Sequence, residues 1–326
     1  MDDFVVAAWS MAEAAGSHLA GVSLPLLVAG LALHTLKLGA RARAWQNVLR
    51  ASFPERRVEF RDAAIPYFAG TGAGVLIPFG GGEVLRIALA RTRLRSGDEH
   101  EGASTATIVG SLAVERVLDV AVALIVVALA VTAGLLPNGA LHGRLDAGLG
   151  AVASPLVAVG VAAIGLASVA GGYALRRRCR AAGARLLRGL AVLGQPSRYF
   201  TTVASWQLLS WVLRFAALVF FLKAFHVPGA IAVAPVVLSL QLLAASVPFT
   251  PGGAGTQQAL LAAALGSAAI VGFSAGAQIA TIFVDVVLGI CALAACGTRP
   301  SLDFLRGSAT VNVPVRTPAP AVVRDP

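Results

Sequence analysis

Long apolar runs alternate with short basic clusters along the whole chain. Apolar stretches lie at about 19–38, 103–136, 151–175, 199–225 and 274–295, each close to or beyond the roughly 20 residues a helix needs to cross a bilayer. Two further apolar regions, Asp62–Leu89 and Ala230–Leu265, are interrupted. The first breaks at Pro78-Phe79-Gly80-Gly81-Gly82 and the second at Pro248-Phe249-Thr250-Pro251-Gly252-Gly253-Ala254-Gly255. Proline and glycine end helices, so each region reads as two halves too short to span. The pattern predicts an all-α polytopic membrane protein with about five full spans and two re-entrant hairpins. Residues 19–298 form one membrane domain in this reading. In residues 1–18, Phe4, Val5, Ala8, Trp9 and Ala12 share a helical face, as in a segment lying in the membrane interface. Residues 299–326, rich in proline and hydroxyl side chains, read as a disordered tail.

Charge gives the spans a direction. One basic loop carries Arg41, Arg43, Arg50, Arg56, Arg57 and Arg61, a second Arg91, Arg93 and Arg95, and a third runs from Arg176 to Arg198. The segments 137–150 and 226–229 are poor in charge. The positive-inside rule places the basic loops and the C-terminus in the cytoplasm, in a cell membrane. One broken hairpin then starts inside and the other outside, as in an inverted-topology repeat. Composition agrees: 57% of the 326 residues are hydrophobic and 13% charged, about half the charge of an ordinary soluble domain. The net charge of +10 is confined to clusters between apolar runs, which suits anionic lipid headgroups rather than a nucleic-acid face. Three cysteines and five histidines lie without ligand spacing, so no metal or other cofactor is expected.

Against this apolar background the buried charges stand out, because an ion at the bilayer centre costs about 2.5–3.5 kcal/mol even on the lenient insertion scale. Thr107, Ser111, Glu115 and Asp119 repeat every four residues on one helical stripe, with Arg116 three residues from Asp119 and able to pair with it. Gln207, Ser210 and Arg214 share one spacing, and Gln278, Thr281 and Asp285 repeat it. Arg214 and Asp285 fall at similar depths, about 16 Å by helical rise, and make a second expected pair. Each glycine break also opens a helix whose free N–H groups attract anions. Gly81 and Gly82 lead to Glu83 and Arg86, and Gly252, Gly253 and Gly255 lead to Gln257 and Gln258. Together with the buried arginines, these helix starts outline a phosphate-binding chamber. No nucleophile–base pair is evident, and the chain does not read as an enzyme.

Pro78…Gly82-Glu83…Arg86, then Glu115-Arg116…Asp119, then Pro251-Gly252-Gly253-Ala254-Gly255 resemble, in order and spacing, the lysylphosphatidylglycerol synthase transmembrane region family. These are flippase-like integral membrane domains, and the resemblance covers roughly 25–296. It implies movement of an anionic-headgroup lipid between leaflets, whether a phospholipid or a polyprenyl-phosphate-linked lipid. Arg86, Arg116 and Arg214 would hold the phosphate, and Glu83, Glu115, Asp119 and Asp285 would form the charge network. The alternative is a non-transporting scaffold that presents lipid to a partner glycosyl- or aminoacyl-transferase. The soluble aminoacyl-transferase domain of some members has no counterpart here, so synthase activity is not expected. The chain departs from the family pattern at Gly74, where Asn is usual, at Gly80, often a basic residue, and at Gln258, usually Glu.

Overall fold

The computed structural model describes residues 21–77, 80–94, 103–132, 180–245, 256–265 and 268–296. Every regular element among them is helical. The expected span at 151–175, the interfacial segment 1–18, the tail 299–326 and Gly252, Gly253 and Gly255 lie outside the described residues.

The first helix, α1, runs from Leu24 to Ser52 with a proline in its first turn, where a missing N–H costs nothing. It corrects the sequence reading, which ended the span near Leu38 and placed Arg41, Arg43 and Arg50 in a loop. α2 (Phe60–Leu76) begins with a capping box in which the Glu59 backbone N–H donates to Asp62 at 2.9 Å. α3 (Gly81–Arg93) follows after Gly80, whose φ of 82° only glycine adopts at low cost. α4 (Thr105–Thr132) and the short α5 (Arg180–Gly189) come next. α6 spans Pro196–Ala224 and contains a π-turn at Phe200–Ala204. One carbonyl of that turn, Thr202, accepts a hydrogen bond from the Asn47 side chain at 2.6 Å. The series closes with α7 (Ala230–Ala245), α8 (Thr256–Leu265) and α9 (Ala268–Ala295).

α1 and α6 are antiparallel neighbours over most of their length. At one end Ser23 N–H bonds the Ala224 carbonyl at 2.9 Å, and at the other Asn47 reaches Thr202. Between them Gly30 lies under the Phe221 ring, where a Cβ would come within 2.5 Å of a ring carbon. Small residues bring other helices equally close, as is usual where lipid leaves no hydrophobic force between them. A Cβ on Gly72 of α2 would sit 2.7 Å from the Asp285 carbonyl of α9, with Gly289 alongside. Gly110 of α4 and Gly189 of α5 meet in the same way.

In chain order a long helix, two shorter ones and another long helix occur twice among the described residues: α1, α2, α3, α4, then α6, α7, α8, α9. The long helices α1 and α6 pack on each other, α2 packs on α9, and α7 packs on α4. Two apolar cores result. One gathers around Trp45, Leu49, Tyr67, Ile108 and Val203, the other around Phe221, Leu222, Leu240, Leu261 and Phe273. Outward, α9 presents Ile279, Phe283 and Ile290, and α4 presents Val117, Ile125 and Leu129, all largely exposed. Such apolar outer stripes suit lipid rather than water. Pro196–Ala224 and Gly272–Ala295 are, among the described residues, long and apolar enough to cross a membrane.

Candidate functional site

One stripe of α1 organises the polar interior. His34, Lys37, Arg41 and Trp45 fall at spacings of three and four, so they share a face. Arg41 reaches Glu115 of α4 through Nε at 3.1 Å and through an η nitrogen at 3.0 Å, and it also pairs with Asp119. From the opposite side Arg86 of α3 donates to the second Glu115 oxygen at 2.8 Å. The Arg86 guanidinium lies between two rings, 3.9 Å from the Trp45 centroid and 4.3 Å from that of Tyr67. Stacking of this kind is worth about 2 kcal/mol or more when desolvated. Trp211 of α6 donates its indole N–H to Asp119 at 3.3 Å, and Trp45 donates to Ser111 at 3.0 Å.

The stripe read in α4 is therefore present. Thr107, Ser111 and Glu115 are buried, Glu115 at 5% exposure, and Asp119 is half-buried beside them. Two arginines and two carboxylates cancel in charge, which is how a dry helix bundle tolerates them.

Arg116 is placed elsewhere. Its side chain is 66% exposed and pairs with Glu83, itself 46% exposed, instead of with Asp119. A step of one residue turns a helix by about 100°, so Arg116 leaves the face on which Glu115 and Asp119 lie. Glycines of the first break pack against α2 and the residue after it. Gly82 is pressed against α2, where a Cβ would stand 2.3 Å from the Gly70 carbonyl and 2.6 Å from the Gly74 Cα. Gly81 faces the Ile77 side chain. These positions close the turn between α2 and α3, and Gly74 is small for the same contact.

Toward the other end of α1 lies a cavity of about 290 Å³, lined among others by His34, Lys37, Arg214, Gln257, Gln278 and Asp285. Arg214 and Asp285 both line it, but the expected pair is replaced: Asp285 bonds His34 Nε2 at 2.8 Å. The Arg214 guanidinium stands 5.3 Å from the Trp211 ring centroid. Gln258 donates to Gln278 at 2.5 Å, and Gln257 to Ser274 at 3.2 Å.

Sequence reasoning did not place His34, Lys37, Arg41, Tyr67 or Trp211 in the site. The heptad spacing of His34 and Arg41, with Trp45 one turn further, was the available signal.

A helical bundle with apolar outer stripes and an interior of compensated charges is consistent with a helical membrane protein. The chain belongs to the lysylphosphatidylglycerol synthase TM region family, which matches residues 4–297. No curated protein and no solved structure matches it.

Proposed function

We propose that this protein is a carrier, not an enzyme, that moves an anionic-headgroup lipid between the leaflets of a cell membrane by alternating access. The observation that carries this reading is the polar cavity between the two halves, lined by Lys37 and Arg214. A purely structural bundle has no use for buried cations facing open space, since each costs several kcal/mol to desolvate. Family membership supports a membrane role connected with lipid. The matched packing of α2 on α9 and of α7 on α4 supports an inverted repeat whose broken pairs enter from opposite sides. The basic loops then face the cytoplasm. Alternating access would require the helices that line the cavity to shift so that it opens to one side at a time.

Reconstitution tests the reading. Vesicles containing the protein and a fluorescent phosphatidylglycerol in both leaflets should lose all fluorescence to an impermeant quencher. Protein-free vesicles should lose about half, since only their outer leaflet is reached. Lipid binding with no movement, at verified protein incorporation, would instead favour a scaffold that presents lipid to a partner transferase.

A further inference from the structure

α1 sets three basic side chains on one face, and they are answered differently. Arg41 meets two carboxylates and an arginine keeps its proton, so the Arg41, Arg86, Glu115 and Asp119 cluster holds a fixed set of charges. His34 and Lys37, earlier on the same face, join another series. Lys37 Nζ lies 3.2 Å from His34 Nδ1, and His34 Nε2 lies 2.8 Å from Asp285 Oδ1. Every group in this series can gain or lose a proton. The imidazole can carry a proton on either nitrogen or on both, with its two neighbours donating or accepting to match. These contacts therefore permit more than one proton count, which the arginine cluster does not. All three groups line the cavity. Its other walls bring no further titrating side chain: α2 offers Val75, α6 Arg214, α7 Gln241 and α8 Gln257, and α9 adds Gln278 and Thr281. The Arg214 guanidinium keeps its charge at any working pH.

Resting on the carrier reading, we propose that the His34–Asp285 pair, extended by Lys37, is a proton-binding site that couples the carrier to a proton gradient. The pair takes one proton from water on the side to which the cavity is open, forming an N–H or O–H bond. That bond breaks when the proton is returned to water on the other side; no electrons move and no other reactant is needed. The proton belongs to the pair as a unit, so the site does not depend on which tautomer is present. One partner stands on α1 and the other on α9, so adding a proton changes by one the charge held across that helix contact. A charge-assisted hydrogen bond is roughly twice as strong as a neutral one. A contact whose strength follows proton occupancy favours one arrangement of the helices over another. Glu115 and Asp119 do not offer this, because arginine and indole donors occupy their oxygens.

Two measurements test the site, one with transport and one without. In vesicles held at zero potential with potassium and valinomycin, the quencher assay on fluorescent phosphatidylglycerol is run under opposite gradients of about one pH unit, lumen acidic or lumen alkaline. Coupling predicts that protein-dependent loss of the inner-leaflet probe differs between the two by about threefold or more, since a pH unit is roughly tenfold in proton activity. His34→Gln and Asp285→Asn should each abolish that difference. Asp285→Glu, which keeps a titrating carboxyl, should preserve it and guards against a folding defect. Equal wild-type rates under opposite gradients would overturn the coupling. Absence of movement under any gradient removes the carrier reading instead, and the site is then judged by the second measurement. Histidine ring NMR signals of the purified full-length protein in detergent are followed from about pH 5 to 9, with His34 identified by its loss in His34→Gln. The His34 signal should titrate in that range, and Asp285→Asn should displace its midpoint by about one pH unit or more. A signal that stays fixed, or a midpoint that ignores Asp285→Asn, would overturn the proton site.

Discussion

Glu115 is the residue on which the interior depends most, because it answers two arginines at once. Replacing it with Gln leaves Arg41 with Asp119 alone and Arg86 with no carboxylate, deep in a bundle with little water. Removing one partner of a buried pair costs about 3–5 kcal/mol, so Glu115→Gln should lower the thermal unfolding temperature in detergent sharply. Arg116→Gln, one position away, breaks an exposed pair worth at most about 1 kcal/mol and should leave the temperature nearly unchanged. Similar effects from the two variants would contradict the placement of Arg116 outside the network. Arg86→Lys should also destabilise despite keeping its charge, since an ammonium cannot lie flat between Trp45 and Tyr67 while bonding Glu115. A Lys variant as stable as the wild type would show that charge alone matters there.

At the scale of elements, the hairpin α2/α3 is held by glycines in contact. Gly82→Val should force α3 off α2, because even a Cβ would meet the Gly70 carbonyl at 2.3 Å. A cost of roughly 1–3 kcal/mol or more is expected for overpacking of this kind. Gly39→Ala on α1 is the control, with nothing within 4 Å of a new Cβ, and should be neutral or slightly stabilising by helix propensity. Thermal unfolding of the two variants side by side checks the contrast. The break between α2 and α3 is legible in the sequence because Pro78 and the following glycines interrupt an apolar run on any backbone. The extent of α1 was not. Arg41 and its neighbours look like a cytoplasmic loop until Glu115 and Asp119, over seventy positions away, are known to neutralise Arg41. Which partner a buried charge takes on another helix cannot be read from its own helix alone: Arg214 and Asp285 share a depth, yet His34 of α1 takes Asp285.

Among the described residues α1 and α6 pack together over most of their length, with the charge cluster toward one end of α1 and the cavity toward the other. Such an arrangement suits the proposed carrier: the paired charges tie α1 to α3 and α4, and Lys37 and Arg214 line the space a headgroup would use. The measurement that tests this most directly is sidedness of access to the cavity. Thr281 lines it on α9, so Thr281→Cys can be placed in a protein whose Cys179, Cys291 and Cys296 are changed to Ser. The variant is then treated with a membrane-impermeant thiol reagent on right-side-out and on inverted vesicles. Alternating access predicts labelling from both sides, slowed on both by dihexanoylphosphatidylglycerol. Labelling from one side only, whatever lipid is added, would contradict the carrier and leave a static lipid-holding cavity in its place.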